Sequence, residues 1–145
     1  MKNMFLKTAY IFKVLFLVSL AACSTDVNPY DATQKPVVTA TPAGVISWTP
    51  ANAQLVRVYK GDTPGDGYDA RLIWSVGANT KNSIESPVTF GVVPAGATID
   101  FAKKEDLKSG EKYTVVVTRA DPKGEGDGFT NTSNSYVGNF TFTAQ

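Results

Sequence analysis

The sequence predicts an all-β protein, a single antiparallel β-sandwich of about seven strands. Short runs of β-branched and aromatic residues follow one another from residue 37 onward, and Gly, Pro, Asn and Asp separate them. Within several runs apolar and polar residues alternate, which is the period of a half-buried strand. Many short strands with frequent turn signals are typical of a sandwich.

Seven runs are expected to be strands, and alternation predicts one buried face in several of them. The only helix-like candidate, residues 101–108, is short and charged. The strand runs are residues 37–41, 45–48, 55–60, 71–76, 88–93, 112–119 and 136–143. The residues predicted to share a face are Leu72, Trp74 and Val76, then Tyr113, Val115 and Val117, and finally Tyr136, Phe140 and Phe142.

The first 22 residues have the layout of a secretory signal peptide. They carry Lys2, Lys7 and Lys13 and no acidic residue. The uninterrupted apolar run begins at Val14 and is too short to span a bilayer, which takes about 20 residues. A basic start, a short apolar centre and small residues before a cut describe an export signal.

Cys23 is the only cysteine, and it follows Leu20-Ala21-Ala22 directly. This stretch resembles the lipobox of bacterial lipoproteins. The resemblance implies cleavage between Ala22 and Cys23, a diacylglyceryl group on the Cys23 thiol, and acylation of its new amine by a chain such as palmitate. The lipid would then anchor the protein to a membrane. The alternatives are an ordinary signal peptide with a chance cysteine and an uncleaved anchor helix.

These features divide the chain into a signal peptide (1–22), a lipidated cysteine with a flexible tether (23–36) and a β-sandwich domain (37–145). The tether is polar and has no periodicity, as expected of a loose coil. Ser24 follows the cysteine, whereas an Asp at this position tends to retain the related Gram-negative lipoproteins in the inner membrane. The expected location is the bacterial cell envelope, with the outer membrane favoured over the inner one.

Composition excludes several classes of function. Without residues 1–22 the chain has 11 basic and 13 acidic side chains, a formal charge of −2, so nucleic acid is not an expected partner. Histidine is absent, which excludes Ser-His-Asp, Cys-His and His-ligated zinc sites. We therefore expect a protein that is not an enzyme and has no cofactor. A small hydrolase with two positioned carboxylates is the less favoured alternative.

The order of landmarks resembles a fibronectin type III or closely related immunoglobulin-like domain. Residues 46–50 resemble its second strand with the core Trp48, and residues 107–117 match its Leu-x-x-Gly-x-x-Tyr-x-Val-x-Val stretch. The resemblance implies a tyrosine corner at Leu107, Gly110 and Tyr113, with the Tyr113 hydroxyl bonded to backbone a few residues upstream. Residues 77–106 are longer and more irregular than this pattern, so another sandwich topology remains open.

Two Gly-rich loops, residues 61–69 and 121–128, each carry three carboxylates. Calcium takes several oxygen ligands from a bent backbone, so both loops are weak calcium candidates. Neither has the EF-hand spacing, and ordinary turns use the same Asp and Gly residues, so solvated turns are the favoured interpretation. The six candidate ligands are Asp62, Asp66, Asp69, Asp121, Glu125 and Asp127.

Aromatic side chains near loops are the candidates for contact with a partner. Tyr68 and Phe129 flank polar loops, and Trp74 is a third candidate, although core filling is its favoured role. The expected function is that of a non-catalytic binding or scaffolding module, held by its lipid and contacting an unidentified envelope protein or glycan through loops. The alternative is a structural accessory subunit of an envelope complex.

Overall fold

The computed structural model describes residues 30–50, 52–123 and 135–145. The described ranges contain a short 3-10 turn, Ala32–Gln34, eight strands and no α-helix. The strands are β1 (Val37–Ala40), β2 (Val45–Thr49), β3 (Leu55–Lys60), β4 (Leu72–Ala78), β5 (Val88–Thr89), β6 (Ala97–Phe101), β7 (Lys112–Ala120) and β8 (Ser135–Thr143).

The strands form two antiparallel sheets. The smaller sheet has the order β1-β2-β5, and the larger has the order β6-β4-β3-β7-β8. Buried side chains from both sheets form one hydrophobic cluster, which includes Ile46 and Trp48 from β2 and Trp74 and Val115 from the larger sheet. The prediction of an all-β protein is confirmed, and two antiparallel sheets around a shared core are consistent with a β-sandwich.

Each of the seven predicted runs overlaps one strand, but the sequence missed β6. This strand pairs with the edge of β4, where Ala78 lies opposite Ala97 and Ser75 lies opposite Phe101. Only Ala97 of its five residues is buried, so β6 carries almost no hydrophobic periodicity. The helix-like candidate over residues 101–108 forms no helix, because Phe101 ends β6 and the residues after it are irregular. Eight residues are too few to stabilise a helix without tertiary packing.

A bulge in β4 decides which face Leu72 occupies. Tyr59 lies opposite Leu72, and the register shifts just before this pair, so Ile73 is an extra residue. Leu72 therefore packs beside Tyr59 on the outer face of the larger sheet, while Trp74 and Val76 face the core. The prediction that Leu72 shares a face with Trp74 and Val76 is wrong, because one inserted residue reverses the alternation.

The alternation predicted for β8 holds at two positions of three. Tyr136 and Phe142 are buried, at 1% and 6% exposure. Phe140 is 37% exposed, because β8 is the edge strand of the larger sheet and few side chains cover it there.

Residues 30–36, here called the leading segment, are packed against the sandwich. The Asp31 N–H donates to the Tyr136 hydroxyl at 3.2 Å, and the rings of Tyr30 and Tyr136 lie 5.0 Å apart. Arg119 Nη1 donates to the carbonyl oxygen of Gln34 at 3.1 Å and to its Oε1 at 3.0 Å. These seven residues were expected in the flexible tether, but their contacts make them part of the domain.

The leading segment marks one end of the sandwich, which we call the proximal pole. There β7 ends and β8 begins, with Ala120 opposite Ser135. The other end, the distal pole, carries residues 61–71, which connect β3 to β4. The antiparallel topology thus places the leading segment and this connection at opposite ends of the sandwich.

Candidate functional site

Residues 61–71 fold back over the outer face of the larger sheet. Tyr59 is fully buried on that face and donates its hydroxyl to the Gly67 carbonyl oxygen at 2.6 Å. Gly65 lies so close to the Tyr59 ring that an added Cβ would overlap two of the ring carbons. Since Leu72 is also fully buried beside Tyr59, the connection is a packed part of the domain.

The Arg71 side chain stabilises residues 61–71 through hydrogen bonds to other residues of the same connection. Its Nη1 donates to Thr63 Oγ1 at 2.7 Å, and its Nη2 donates to Asp69 Oδ2 at 2.8 Å. The backbone N–H of Asp66 also donates to Asp69, at 3.2 Å. Burial alone would raise the pKa of Asp69, but the hydrogen bonds from Arg71 and Asp66 together with the Arg71 charge hold that pKa below its ordinary value.

The one aromatic residue of residues 61–71 is Tyr68, which is 61% exposed. Its hydroxyl donates to Asp100 Oδ1 at 2.7 Å. The second carboxylate oxygen of Asp100 accepts from Ser75 Oγ, buried in β4, at 2.5 Å. These two bonds hold an exposed ring in one orientation against the sheet. We call Arg57, Tyr68, Asp100, Phe101 and Lys104 the Tyr68 surface.

Two cations lie over the aromatic rings of the Tyr68 surface. Arg57 Cζ is 5.2 Å from the centroid of the Tyr68 ring, and Lys104 Nζ is 4.6 Å from that of Phe101. The two ring centroids are 6.3 Å apart. Both cations lie within the distance at which a ring attracts a positive charge, so they add order to this surface.

The hydrogen bond to Asp100 raises the pKa of Tyr68, because a phenolate would face a carboxylate; burial adds to the rise and Arg57 opposes it. Tyr68 is therefore a neutral hydrogen-bond donor at physiological pH. Chemically, the Tyr68 surface offers an aromatic face, two cations and one carboxylate. This set suits noncovalent binding, whereas glycoside hydrolysis uses two opposed carboxyl groups.

Trp74, one of the three predicted contact residues, is buried. It is 1% exposed, and its ring packs edge-on against Phe90 with centroids 5.6 Å apart. A surface contact through Trp74 is therefore ruled out, and the competing prediction of a core role describes its position. Its place on the core face of a central strand is what buries it.

Three of the four calcium candidates that the structure describes have protein partners for their side chains. Asp62 Oδ2 lies 3.7 Å from Lys112 Nζ, and Asp69 is paired with Arg71. Asp121 is 1% exposed and accepts the Lys123 N–H at 2.9 Å. Within the described ranges no three acidic, His or Cys side chains come together as metal ligands would.

Several predicted site residues lie outside the described residues, namely Ala22, Cys23, Glu125, Asp127 and Phe129. The cleavage site, the lipidation site and part of the second acidic loop therefore remain predictions.

In the part of the chain that is described, no helix has the length and apolar character needed to cross a membrane.

The predicted corner residues lie where β7 begins. Tyr113 is fully buried, and its hydroxyl accepts the Lys108 N–H at 3.0 Å and donates to Glu111 Oε2 at 3.1 Å. Gly110 has a φ of +81°, a conformation that favours glycine, and Leu107 packs against the core cluster. The Tyr113 hydroxyl thus bonds to backbone five residues upstream.

Four residues of the Tyr68 surface were not predicted from the sequence. Arg57 and Phe101 lie in β3 and β6, and both are opposite Ser75 of β4, so strand register brings them together. This register depends on pairing between segments that are far apart in the sequence, so no local motif reveals it. In the local sequence, Arg57 is distinguished only as a polar residue between the apolar Val56 and Val58, which predicts that it lies on the outer face.

No family model, no curated protein and no solved structure matches this chain.

Proposed function

We propose that this protein is a lipid-anchored, non-catalytic binding or scaffolding module of the bacterial cell envelope that contacts its partner through the Tyr68 surface. The observation that carries the proposal is the placement of two features. The leading segment is fastened at the proximal pole, while the Tyr68 surface is built from the connection at the distal pole and the adjoining outer face. An anchor at one end would leave the other end free for a partner.

Lipidation at Cys23 would set the height of the domain above the membrane. Seven residue steps separate Cys23 from Tyr30, which is already packed on the sandwich. Seven residues reach at most about 25 Å and span about 15 Å on average as a loose coil. The proximal pole would then face the lipid, and the Tyr68 surface would face away from it. The outer membrane is the favoured location on the grounds given for Ser24.

We also propose a fibronectin type III-like topology for the domain. The support is a three-stranded sheet opposite a larger one, a Trp48 that is 3% exposed, and the bond between the Tyr113 hydroxyl and the Lys108 N–H. A buried tyrosine with this backbone bond is a recurring feature of such sandwiches. The departure is β6, which follows β5 in the chain and extends the edge of the larger sheet beyond β4.

Membrane anchoring is tested by fractionating cells that express the full chain or its Cys23→Ala variant. The wild-type protein should remain with the membrane fraction, because two or more acyl chains hold a protein firmly to a bilayer. The variant should be soluble or keep its signal peptide. Equal membrane association and equal gel mobility of the two proteins would refute lipidation.

Partner binding is tested by crosslinked pull-down of the lipidated full-length protein from its own envelope. Tyr68→Ala should lose the bound partner, since an exposed and preoriented aromatic is a frequent centre of binding energy. Tyr30→Ala is the matched control, because Tyr30 is 57% exposed but lies in the leading segment. If Tyr68→Ala still captures the partner and Tyr30→Ala does not, the contact lies at the proximal pole and the proposal is wrong.

A structural accessory subunit is the second candidate, and a specific observation favours it. Val92, Val93 and Ile99 are 56%, 40% and 57% exposed, and they lie on β6 and on the connection that leads into it. Exposed aliphatic residues along an edge strand suit a permanent protein contact. Ile99→Glu should then release a copurifying subunit that Tyr68→Ala retains, and the opposite pattern would favour the first proposal.

A further inference from the structure

We infer that the ligand of the Tyr68 surface is an acidic glycan, a chain of pyranose sugars that carry carboxylate groups. This inference rests on the proposed function and extends it by naming the class of ligand. Three features carry it: an aromatic ring that is exposed and immobilised, a carboxylate that can bind hydroxyl groups, and two cations without an ion-pair partner among the described residues.

The Tyr68 ring is preorganised for stacking. Its hydroxyl is fixed by Asp100, one side of the ring lies near the Arg57 guanidinium, and Phe101 is its aromatic neighbour. With 61% of the residue exposed, a flat apolar face remains open to a ligand. The C–H face of a pyranose ring is apolar and flat enough to stack there, and a ring that is already ordered loses little entropy on binding.

Asp100 adds a means of recognising hydroxyl groups. Its two carboxylate oxygens each accept one hydrogen bond, from Tyr68 and from Ser75. A carboxylate has about four acceptor positions, so capacity for further donors remains. Asp100 itself is exposed, and sugar hydroxyls beside the stacked ring are the donors that fit it.

The cations of the Tyr68 surface indicate that the glycan is acidic. Most lysines and arginines near the distal pole are neutralised by a carboxylate: Lys60, Arg71, Lys103, Lys108 and Lys112 all form ion pairs. Arg57 and Lys104 form none with the described carboxylates; each lies over an aromatic ring instead. Two such cations against the single Asp100 leave a net positive charge, which complements a carboxylate-bearing ligand.

A protein partner fits this surface less well. The centre of a protein interface is usually an apolar cluster from which neighbouring contacts exclude water. The Tyr68 surface instead mixes its rings with three charged side chains. None of the exposed aliphatic residues Val92, Val93, Ile99 and Val137 belongs to the Tyr68 surface.

The test measures binding of defined oligosaccharides to the full-length lipidated protein in detergent micelles by isothermal titration calorimetry. The probes are tetrasaccharides of galacturonate, alginate and hyaluronan, each compared with its carboxyl-reduced counterpart. At least one acidic probe should bind, and carboxyl reduction should weaken its binding by about tenfold or more, because a charge-assisted contact is lost. Raising the salt concentration should weaken the acidic probe alone.

Variants assign the binding to the Tyr68 surface. Tyr68→Ala should lower affinity by about tenfold, and Lys104→Met by roughly threefold to tenfold. Lys35→Met is the matched control, because Lys35 is also an exposed lysine but lies in the leading segment. All three altered residues are exposed, and unchanged thermal unfolding verifies that each variant is folded.

The outcomes separate this inference from the proposed function. If no acidic probe binds, or if the reduced probes bind equally well, the acidic-glycan inference is wrong. If in that case Tyr68→Ala still abolishes capture of an envelope protein, the proposed binding role stands without the glycan. If glycan binding persists in both Tyr68→Ala and Lys104→Met, the Tyr68 surface is the wrong site.

Discussion

Replacing Gly65 by alanine is expected to lift residues 61–71 off the larger sheet. An added Cβ at Gly65 would overlap Cδ1 and Cε1 of Tyr59, whose ring is fully buried beneath it. The ring cannot retreat easily, because Leu72 packs beside it and its hydroxyl is bonded to the Gly67 carbonyl. The clash is therefore relieved by moving the connection.

Two losses determine the size of the effect. The hydrogen bond between the Tyr59 hydroxyl and the Gly67 carbonyl contributes about 1 kcal/mol. Tyrosine buries roughly 150–250 Å², so uncovering about half of Tyr59 at ~25 cal/mol per Å² costs about 2–3 kcal/mol. Gly65→Ala should thus lower the free energy of unfolding by about 3–4 kcal/mol, a large share of the total for a domain of this size.

Urea denaturation of the full chain and of its Gly65→Ala variant measures this difference. Gly77→Ala is the matched control, because a Cβ there would meet its nearest atoms at 3.8 and 4.0 Å, an ordinary contact. That control should be neutral or slightly stabilising, since alanine costs less entropy than glycine in a strand. A Gly65→Ala variant within 0.5 kcal/mol of Gly77→Ala, an allowance for ordinary surface substitutions, would refute the packing described for residues 61–71.

Three further predictions concern individual hydrogen bonds. Tyr113→Phe leaves the Lys108 N–H without its acceptor and should cost about 1–3 kcal/mol in urea denaturation; an unchanged midpoint would contradict this. Arg119→Met removes the donors to the leading segment and should speed amide hydrogen exchange there, with β3 amides as the internal control. Asp100→Asn should lower the raised pKa of Tyr68 toward its usual value near 10, as read by ultraviolet difference titration against Tyr68→Phe. The stabilising bond from neutral Tyr68 is complete below that usual pKa and is lost as pH rises through the raised one.

The sequence predicted the parts of the fold that are coded locally. Alternation located β7 through Tyr113, Val115 and Val117, all fully buried, and each of the other predicted runs also overlaps a strand. It failed at β6, where one buried residue in five leaves no period to detect. It also failed at Leu72, because a bulge depends on the partner strand and has no signal in the strand itself.

The candidate site was predictable in one residue only. Tyr68 was proposed because it is an aromatic in a Gly-rich loop, and it is indeed exposed. Asp100 and Phe101 lie more than thirty residues away on β6, which pairs with β4, and they contact Tyr68 only in the folded chain. Lys104 joins them because it lies over the Phe101 ring. For Trp74, the apolar alternation of its strand predicted a buried position, whereas its aromatic character alone had suggested a surface contact. Trp74 is buried.

We propose that the Tyr68 surface is the contact surface of an anchored module. The most direct test places a photo-crosslinking amino acid at position 68 of the full chain in living cells, and at position 30 for comparison. We expect a higher-mass crosslinked species from position 68, which weakens in a Lys104→Met background if the acidic glycan is the ligand, and none from position 30. A crosslink from position 30 with none from position 68 would contradict it.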